Sequence, residues 1–323
     1  AEIITVIYGS ANFNDLLTEM LSMPFNDIGA TFLGGFLITL FESLLWFFGI
    51  HGGNVFDELL TSPSGVFAFS HGQIVTKPFI DTFVLIGGCG TAISLFIAIA
   101  LFSKDRHKKR LCKTSAIPLI FNINEILIFG LPIVLNPIYL IPFLLTPIIS
   151  YAVAYAALAT GIIPPIINAS VQWTTPVLIS GYKATGSIYG CVLQIVIILI
   201  GVAVYTPFVL IENRVQKENQ KIYLDRLISR CRECETAGVP YSSDTESLIL
   251  RSFEDDIVSK LNSDISRGTI RINYQPQVSG GKIKGAEALL RFGIGETGYI
   301  YPPLVVGIAN SRGMFGDLTK VIV

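Results

Sequence analysis

FNINEILIFGLPIVLNPIYLIP, residues 121–142, is apolar enough to lie in a lipid bilayer, yet it carries the carboxylate of Glu125 in its midst. A carboxylate at bilayer depth is costly, so such acids face a cavity and mark a site. Asn122, Asn124 and Asn136 add polarity, and Pro132, Pro137 and Pro142 each remove a backbone donor. Irregular backbone at this depth survives only where protein covers it or where it lines a watery cavity. Solute sites in transporters are built from such broken, polar helices. The stretch therefore predicts a polytopic α-helical membrane protein with a substrate pocket around Glu125.

Composition agrees independently. Hydrophobic residues make up 51% of the chain and charged residues 15%, and mean hydropathy is +0.60, outside the usual soluble range. Residues 28–50, 79–102, 138–163 and 188–211 are each long enough to cross about 30 Å of hydrocarbon as helices. The basic run KDRHKKR, residues 104–110, with Lys113 just beyond, argues a cytoplasmic loop, and ENRVQKENQK after the fourth segment argues a second cytoplasmic point. An even number of crossings must join them, and 138–163 and 188–211 supply two. Residues 115–137 must then enter and return on one side, as a re-entrant hairpin with Glu125 at its turn. Residues 151–158, YAVAYAAL, are small enough for close helix packing. The net charge of −1 averages an apolar region, residues 1–211, and a charged one, residues 212–300, so it specifies no partner. The run 104–110 is explained by topology, and no basic-aromatic nucleic-acid surface is apparent. Cys89, Cys112 and Cys191 show no paired framework, and Cys231 and Cys234 form a lone CxxC, read as reduced thiols. The chain starts at Ala1 with no signal peptide, which predicts an excerpt of a longer protein.

His51 sits in FFGIHGGNVF beside Gly49, Gly52 and Gly53, where the backbone can approach a ligand. A histidine at the water interface explains the spacing equally well. His71 and His107 lack such a setting, and His107 reads as solvated. Lys77 and Asp81, four apart, can form a buried ion pair. Glu42 is a second intramembrane acid that either binds ligand or pairs with the interior.

NINE followed by IFGLPIVLNP and IPF resembles the signature of the membrane permease (enzyme IIC) of bacterial sugar phosphotransferase systems, lactose/cellobiose/chitobiose branch. ESLLWFFGIHGGNV at 42–55 and TKPFIDTFVLIGGCG at 76–90 match in the same order, and the resemblance covers roughly residues 1–215. Ile126 departs from the proline that commonly follows NINE, which alters the local bend and leaves the carboxylate in place. The resemblance implies that His51 and Glu125 line the sugar site, where one orients the sugar's primary hydroxyl or takes its proton during phosphoryl transfer. Trp46 and Trp173 (in NASVQWTTP) resemble the family's stacking positions, with Asn124 and Gln172 as hydroxyl partners. Membrane-interface anchoring is the competing explanation for the tryptophans. The permease itself carries no cofactor. Its implied partners are a disaccharide, the lipid bilayer, a second copy in a homodimer, and separate IIA and IIB proteins, IIB carrying a phosphocysteine.

Beyond residue 211 the chain changes character. Residues 212–251 read as charged and uneven, with an amphipathic stretch at 222–228, and 216–250 is assigned as a cytoplasmic linker. Asp244-Thr-Glu-Ser precedes a helical run, 248–261, and strands follow at 269–275 and 283–292 around a Gly-Gly turn. YQPQV at 274–278, GAEALLRF at 285–292 and GYIYP at 298–302 resemble the opening of an EAL domain, the cyclic-di-GMP phosphodiesterase family. The resemblance implies that Glu287 ligates a metal, Mg²⁺ or Mn²⁺, that Arg291 contacts a phosphate and that Gln275 lies near the nucleotide. Asn310 departs from a glutamate usual there. Residues 251–323 cover only the start of such a TIM-type barrel, which needs about 200 residues, and the later ligands are absent. The expectation is a polytopic plasma-membrane permease with its C-terminal segment in the cytoplasm. The alternative is a membrane-bound sugar sensor governing cyclic-di-GMP hydrolysis or binding.

Overall fold

The computed structural model describes residues 24–25, 27–56, 60, 65–131, 133–168, 170–242, 247–294 and 298–322. The chain divides into two compact units, Ala1–Asn213 and Arg214–Val323.

In the first unit, Thr31 caps helix α1 (Phe32–Phe47), its hydroxyl accepting from the Gly34 N–H at 3.2 Å. At sixteen residues α1 is shorter than the expected 28–50 segment, rising only about 24 Å. The segment expected as one helix at 79–102 is broken instead. A single helical turn (Lys77–Phe79) and a π-type turn (Ile80–Val84) give way to a loop and a 3₁₀ turn (Cys89–Thr91) before α2 (Ala92–Phe102). The cause is local: Gly87, Gly88 and Gly90 hold φ of +79°, +94° and +66°. A Cβ on Gly87 would stand 2.5 Å from the Ile93 nitrogen, and one on Gly90 2.4 Å from the Phe143 ring. The loop is closed from outside by Tyr205, whose hydroxyl donates to the Gly90 carbonyl at 2.6 Å.

The basic run is not a loop beyond its first residues. Asp105 accepts from the His107 and Lys108 N–H groups at 2.7 and 3.3 Å and starts helix α3 (Arg106–Ile120) there. A turn at residues 121–124 leads into α4 (Glu125–Gly130), so Glu125 is the first residue of the returning arm. Asn136 then caps α5 (Pro137–Ala159), its side chain accepting from Ile138 at 3.0 Å. Pro132 lies outside the described residues. Within α5, Thr146 and Ser150 donate back to the carbonyls four residues earlier, at 2.7 and 2.8 Å, beside Pro142 and Pro147. A short helix α6 (Ile179–Thr185) precedes α7 (Ile188–Ala237). The segments Lys77–Phe102, Pro137–Ala159 and Ile188–Ala237 are long and apolar enough to cross a membrane.

Two apolar clusters fill the unit, one around Ile38, Phe79, Phe83 and Tyr151, the other around Trp46, Leu95, Leu127, Phe143 and Tyr205. The Lys77–Asp81 pair is present at 2.7 Å and half-buried. A second ion pair is almost dry: Lys108 meets one oxygen of Glu212, and the Tyr139 hydroxyl donates to the other at 2.6 Å. Next to it, Asn213 accepts from the Lys104 N–H at 3.0 Å and donates to the Phe102 carbonyl at 2.9 Å.

The second unit begins with a correction. Residues 214–237 are the continuation of α7, where an uneven polar stretch was expected, because Leu224, Leu227 and Cys231 form a buried stripe at helical spacing. Helix α8 (Leu248–Ser266) has Ser247 at its N-cap position, and Asp244 lies outside the described residues. Strands β1 (Arg271–Ser279) and β2 (Lys282–Arg291) pair antiparallel around Gly280–Gly281, followed by α9 (Pro302–Ser311) and α10 (Phe315–Ile322). Ile257, Leu261, Leu304, Val305 and Ile308 are the centre of its core. Among the described residues the sheet has two strands, β1 and β2. All five cysteines are free.

Glu254 is sealed in this second core. The Tyr241 hydroxyl donates to its Oε1 at 2.8 Å, and Oε2 has no hydrogen-bond partner, with Arg312 3.9 Å away. Burial raises its pKa above the ordinary 4.5, against the opposing hydrogen bond from Tyr241 and the charge of Arg312. The folded unit therefore holds this proton more tightly than the unfolded chain. The stabilisation is full below the ordinary carboxyl pKa and is lost as pH rises through the raised one. Hydrogen exchange of α8 amides, compared between wild type and Glu254→Gln at each pH, should show the wild type losing protection relative to the variant as pH climbs above about 4.5. A constant difference across pH would refute the assignment.

Candidate functional site

The end of α1 delivers the first half of the site. Trp46 is buried, and its ring centroid lies 4.4 Å from that of the exposed His51. His51 caps the short turn Gly52–Val55, its Nδ1 accepting the Asn54 N–H at 3.2 Å. An imidazole whose Nδ1 accepts must, when neutral, carry its proton on Nε2. His51 thus offers an N–H donor. Glu42 supports this loop from below: a Cβ on Gly52 would stand 2.7 Å from the Glu42 Cγ, and one on Gly53 3.4 Å from its Oε1. Glu42 is 5% exposed, and its Oε2 has no hydrogen-bond partner.

The second half is the turn at residues 121–124 between α3 and α4. Glu125 is half-buried, and its Oε2 is a buried acceptor with no hydrogen-bond partner among the described residues. After α4 the chain comes back to the end of α1, where the Leu135 N–H donates to the Phe47 carbonyl at 3.2 Å. Asn124 is buried, its amide donating to the Cys89 sulfur at 2.8 Å and the Cys89 carbonyl at 3.4 Å. The amide therefore fastens the hairpin turn to the glycine loop.

Trp173 is 52% exposed, and Gln172 is exposed with its carbonyl accepting from the Thr175 N–H at 2.9 Å. Sequence reasoning treated Asn122 only as a polar interruption. It is buried at φ +62°, accepts from the Gly87 N–H at 2.8 Å and donates to the Trp173 and Thr175 carbonyls at 2.5 and 3.2 Å. Its side chain thereby ties the Trp173 loop to the segment carrying Asn124 and Glu125. The available signal was a second asparagine three residues before Glu125. His71 and His107 are both exposed.

In the second unit, Gln275 and Glu287 face each other in register across the hairpin, and Arg271 faces Arg291. Strand alternation puts Gln275, Glu287 and Arg291 on one face. The Arg291 guanidinium lies 5.9 Å from the Tyr299 ring centroid. Among the described residues no group of three or more His, Cys, Asp or Glu side chains could hold a metal ion, so Glu287 alone does not make a metal centre.

Residues 3–147 match the family model described as Phosphotransferase system, EIIC. The chain is 30% identical over 230 residues to the PTS system oligo-beta-mannoside-specific EIIC component of Bacillus subtilis, covering 68% of this chain and 52% of that protein. It is 34% identical over 235 residues to the PTS system cellobiose-specific EIIC component of Lactococcus lactis, covering 63% and 47%. The crystal structure of the transporter ChbC, the IIC component of the N,N'-diacetylchitobiose-specific phosphotransferase system, aligns at a TM-score of 0.56 with 33% identity, covering 68% of this chain and 54% of that one. The chain spans about half the length of the curated relatives it matches.

Proposed function

We infer that the first unit belongs to the EIIC family of the bacterial phosphotransferase system and works as a membrane permease for a β-linked disaccharide, handing it to the cytoplasm for phosphorylation. The observation that carries this reading is the presence of two complementary groups, one in the loop after α1 and one at the start of α4. His51 offers a fixed Nε2–H donor, and Glu125 offers a buried, unpartnered carboxylate oxygen. The donor holds the sugar's primary hydroxyl oxygen, and the carboxylate accepts its proton. The hydroxyl oxygen then attacks the phosphorus of the phosphocysteine on IIB. The O–P bond forms, the P–S bond breaks and IIB leaves as a thiolate. IIA supplies IIB with phosphate drawn from phosphoenolpyruvate. Trp173 gives the sugar's CH face a ring to stack on, with Trp46, Asn124 and Gln172 completing the wall. The site is expected to act in a homodimer in the plasma membrane.

For the second unit we propose the opening of a cyclic-di-GMP phosphodiesterase-type domain in the cytoplasm. Its support is the shared face of Gln275, Glu287 and Arg291. Mg²⁺ or Mn²⁺ belongs to the completed domain, and no step is assigned to it here.

Trp46 and Trp173 are the only tryptophans, which makes the permease reading directly testable. Titrating the detergent-solubilised full-length protein, with any tryptophan outside residues 1–323 replaced by phenylalanine, with cellobiose, chitobiose and lactose should give a saturable fluorescence change with at least one of them, retained in Trp46→Phe and lost in Trp173→Phe. No saturable change with any of the three would reject the sugar site. Saturation without phosphoenolpyruvate-dependent uptake would identify a sensor.

A further inference from the structure

We propose that Asn122 is a positioning residue of the sugar site, whose amide donor holds the Trp173 loop against the hairpin turn bearing Glu125. This rests on the sugar reading of Trp173 given above. Three independent loops meet at this one side chain: the glycine loop through the Gly87 N–H, the hairpin turn that carries it, and the Trp173–Thr175 segment through two carbonyls. The two ends of the amide do different work. Oδ1 serves the glycine loop, and Nδ2 serves the tryptophan loop. Its backbone sits in the left-handed region that asparagine tolerates better than most residues. The neighbouring loop is shaped to admit the turn, since a Cβ on Gly88 would stand 2.9 Å from the Asn122 carbonyl oxygen and 2.6 Å from the Asn124 Cγ. Trp173 is half-exposed and has little packing of its own to fix it, so the orientation of its loop depends on these bonds.

The division of labour supplies the test. Asn122→Asp keeps the acceptor for Gly87 and sets a carboxylate oxygen against two carbonyls. Asn122→Gly removes both halves while accepting the same φ. Both are made in full-length protein carrying Trp46→Phe, with any tryptophan outside residues 1–323 also replaced by phenylalanine, and are read against that parent, so that Trp173 is the sole reporter. In Asn122→Asp, acrylamide should quench Trp173 more strongly, and the affinity for the responding disaccharide should fall on the order of tenfold with the maximal phosphorylation rate retained. Whichever variant gives a monodisperse detergent peak is read, Asn122→Gly standing in if the aspartate fails. Unchanged quenching in a folded variant overturns the proposal, whatever happens to affinity. Raised quenching in a protein that shows no sugar response would keep the anchoring role and reject the sugar reading instead.

Discussion

Glu125→Gln should lower phosphoenolpyruvate-dependent phosphorylation of the sugar by about 100-fold or more, while disaccharide affinity stays within about threefold. Glutamine keeps the size of the side chain and its ability to accept a hydrogen bond, and loses only the capacity to take a proton. Because Oε2 of Glu125 has no hydrogen-bond partner among the described residues, the substitution leaves no donor among them stranded there. His51→Gln should behave in the opposite way. On the proposed reading the Nε2–H holds the hydroxyl, and its loss should then fall mainly on KM. Assays with purified IIA and IIB on reconstituted full-length protein, reporting kcat and KM separately, distinguish the two. Equal losses of kcat in both variants would mean that the histidine also moves the proton.

Lys108→Ala should be the most destabilising single change in the first unit. Lys108 and Glu212 are both almost completely buried and face each other directly, with Tyr139 donating to the second carboxylate oxygen. Removing the lysine leaves a buried carboxylate with a single neutral donor, a situation that costs about 3–5 kcal/mol. Lys108→Met combined with Glu212→Leu should recover most of that loss, since two apolar side chains avoid the desolvation that the ion pair must overcome. Recovery should be incomplete, because the Tyr139 hydroxyl is then left unpaired. Unfolding midpoints in detergent for the two single variants and the double would settle this. Additive losses in the double variant would show that the residues do not act as a pair.

Much of the site could be read from residue types alone. A carboxylate in an apolar, proline-broken run is expensive enough to make Glu125 a candidate by itself, and the glycines around His51 point to a close backbone approach. The hairpin of the second unit was equally legible, its strands observed within a few residues of the expected bounds because alternation and a Gly-Gly turn fix the register. Other features rest on partners distant in sequence. The break at residues 85–91 looks apolar and continuous, and only the positive φ of its glycines and the side chains of Ile93 and Phe143 explain it. Asn122 acts on residues 35 and 51 positions away, and Glu212 on one 73 positions away. No local pattern carries such information. The continuation of α7 past residue 211 was hidden for another reason. The apolar stripe narrows from a fully apolar surface to Leu224, Leu227 and Cys231, and average polarity masks it.

The glycine loop at 87–90 has a consequence for how this protein can change over generations. Its main chain is gripped at Gly87 by Asn122 and at Gly90 by Tyr205, and Cys89 is the one position there that displays a side chain. Any mutation at the three glycines must add atoms where backbone or ring already stands, so selection has almost no neutral path through them. Position 89 is different, because Asn124 donates to its sulfur and a hydroxyl could accept in the same place. In a mutational landscape of this protein, this loop would be a ridge of three immovable positions with a single tolerant one between them. Change in the surrounding region would then have to arise elsewhere, at positions that carry their chemistry in side chains.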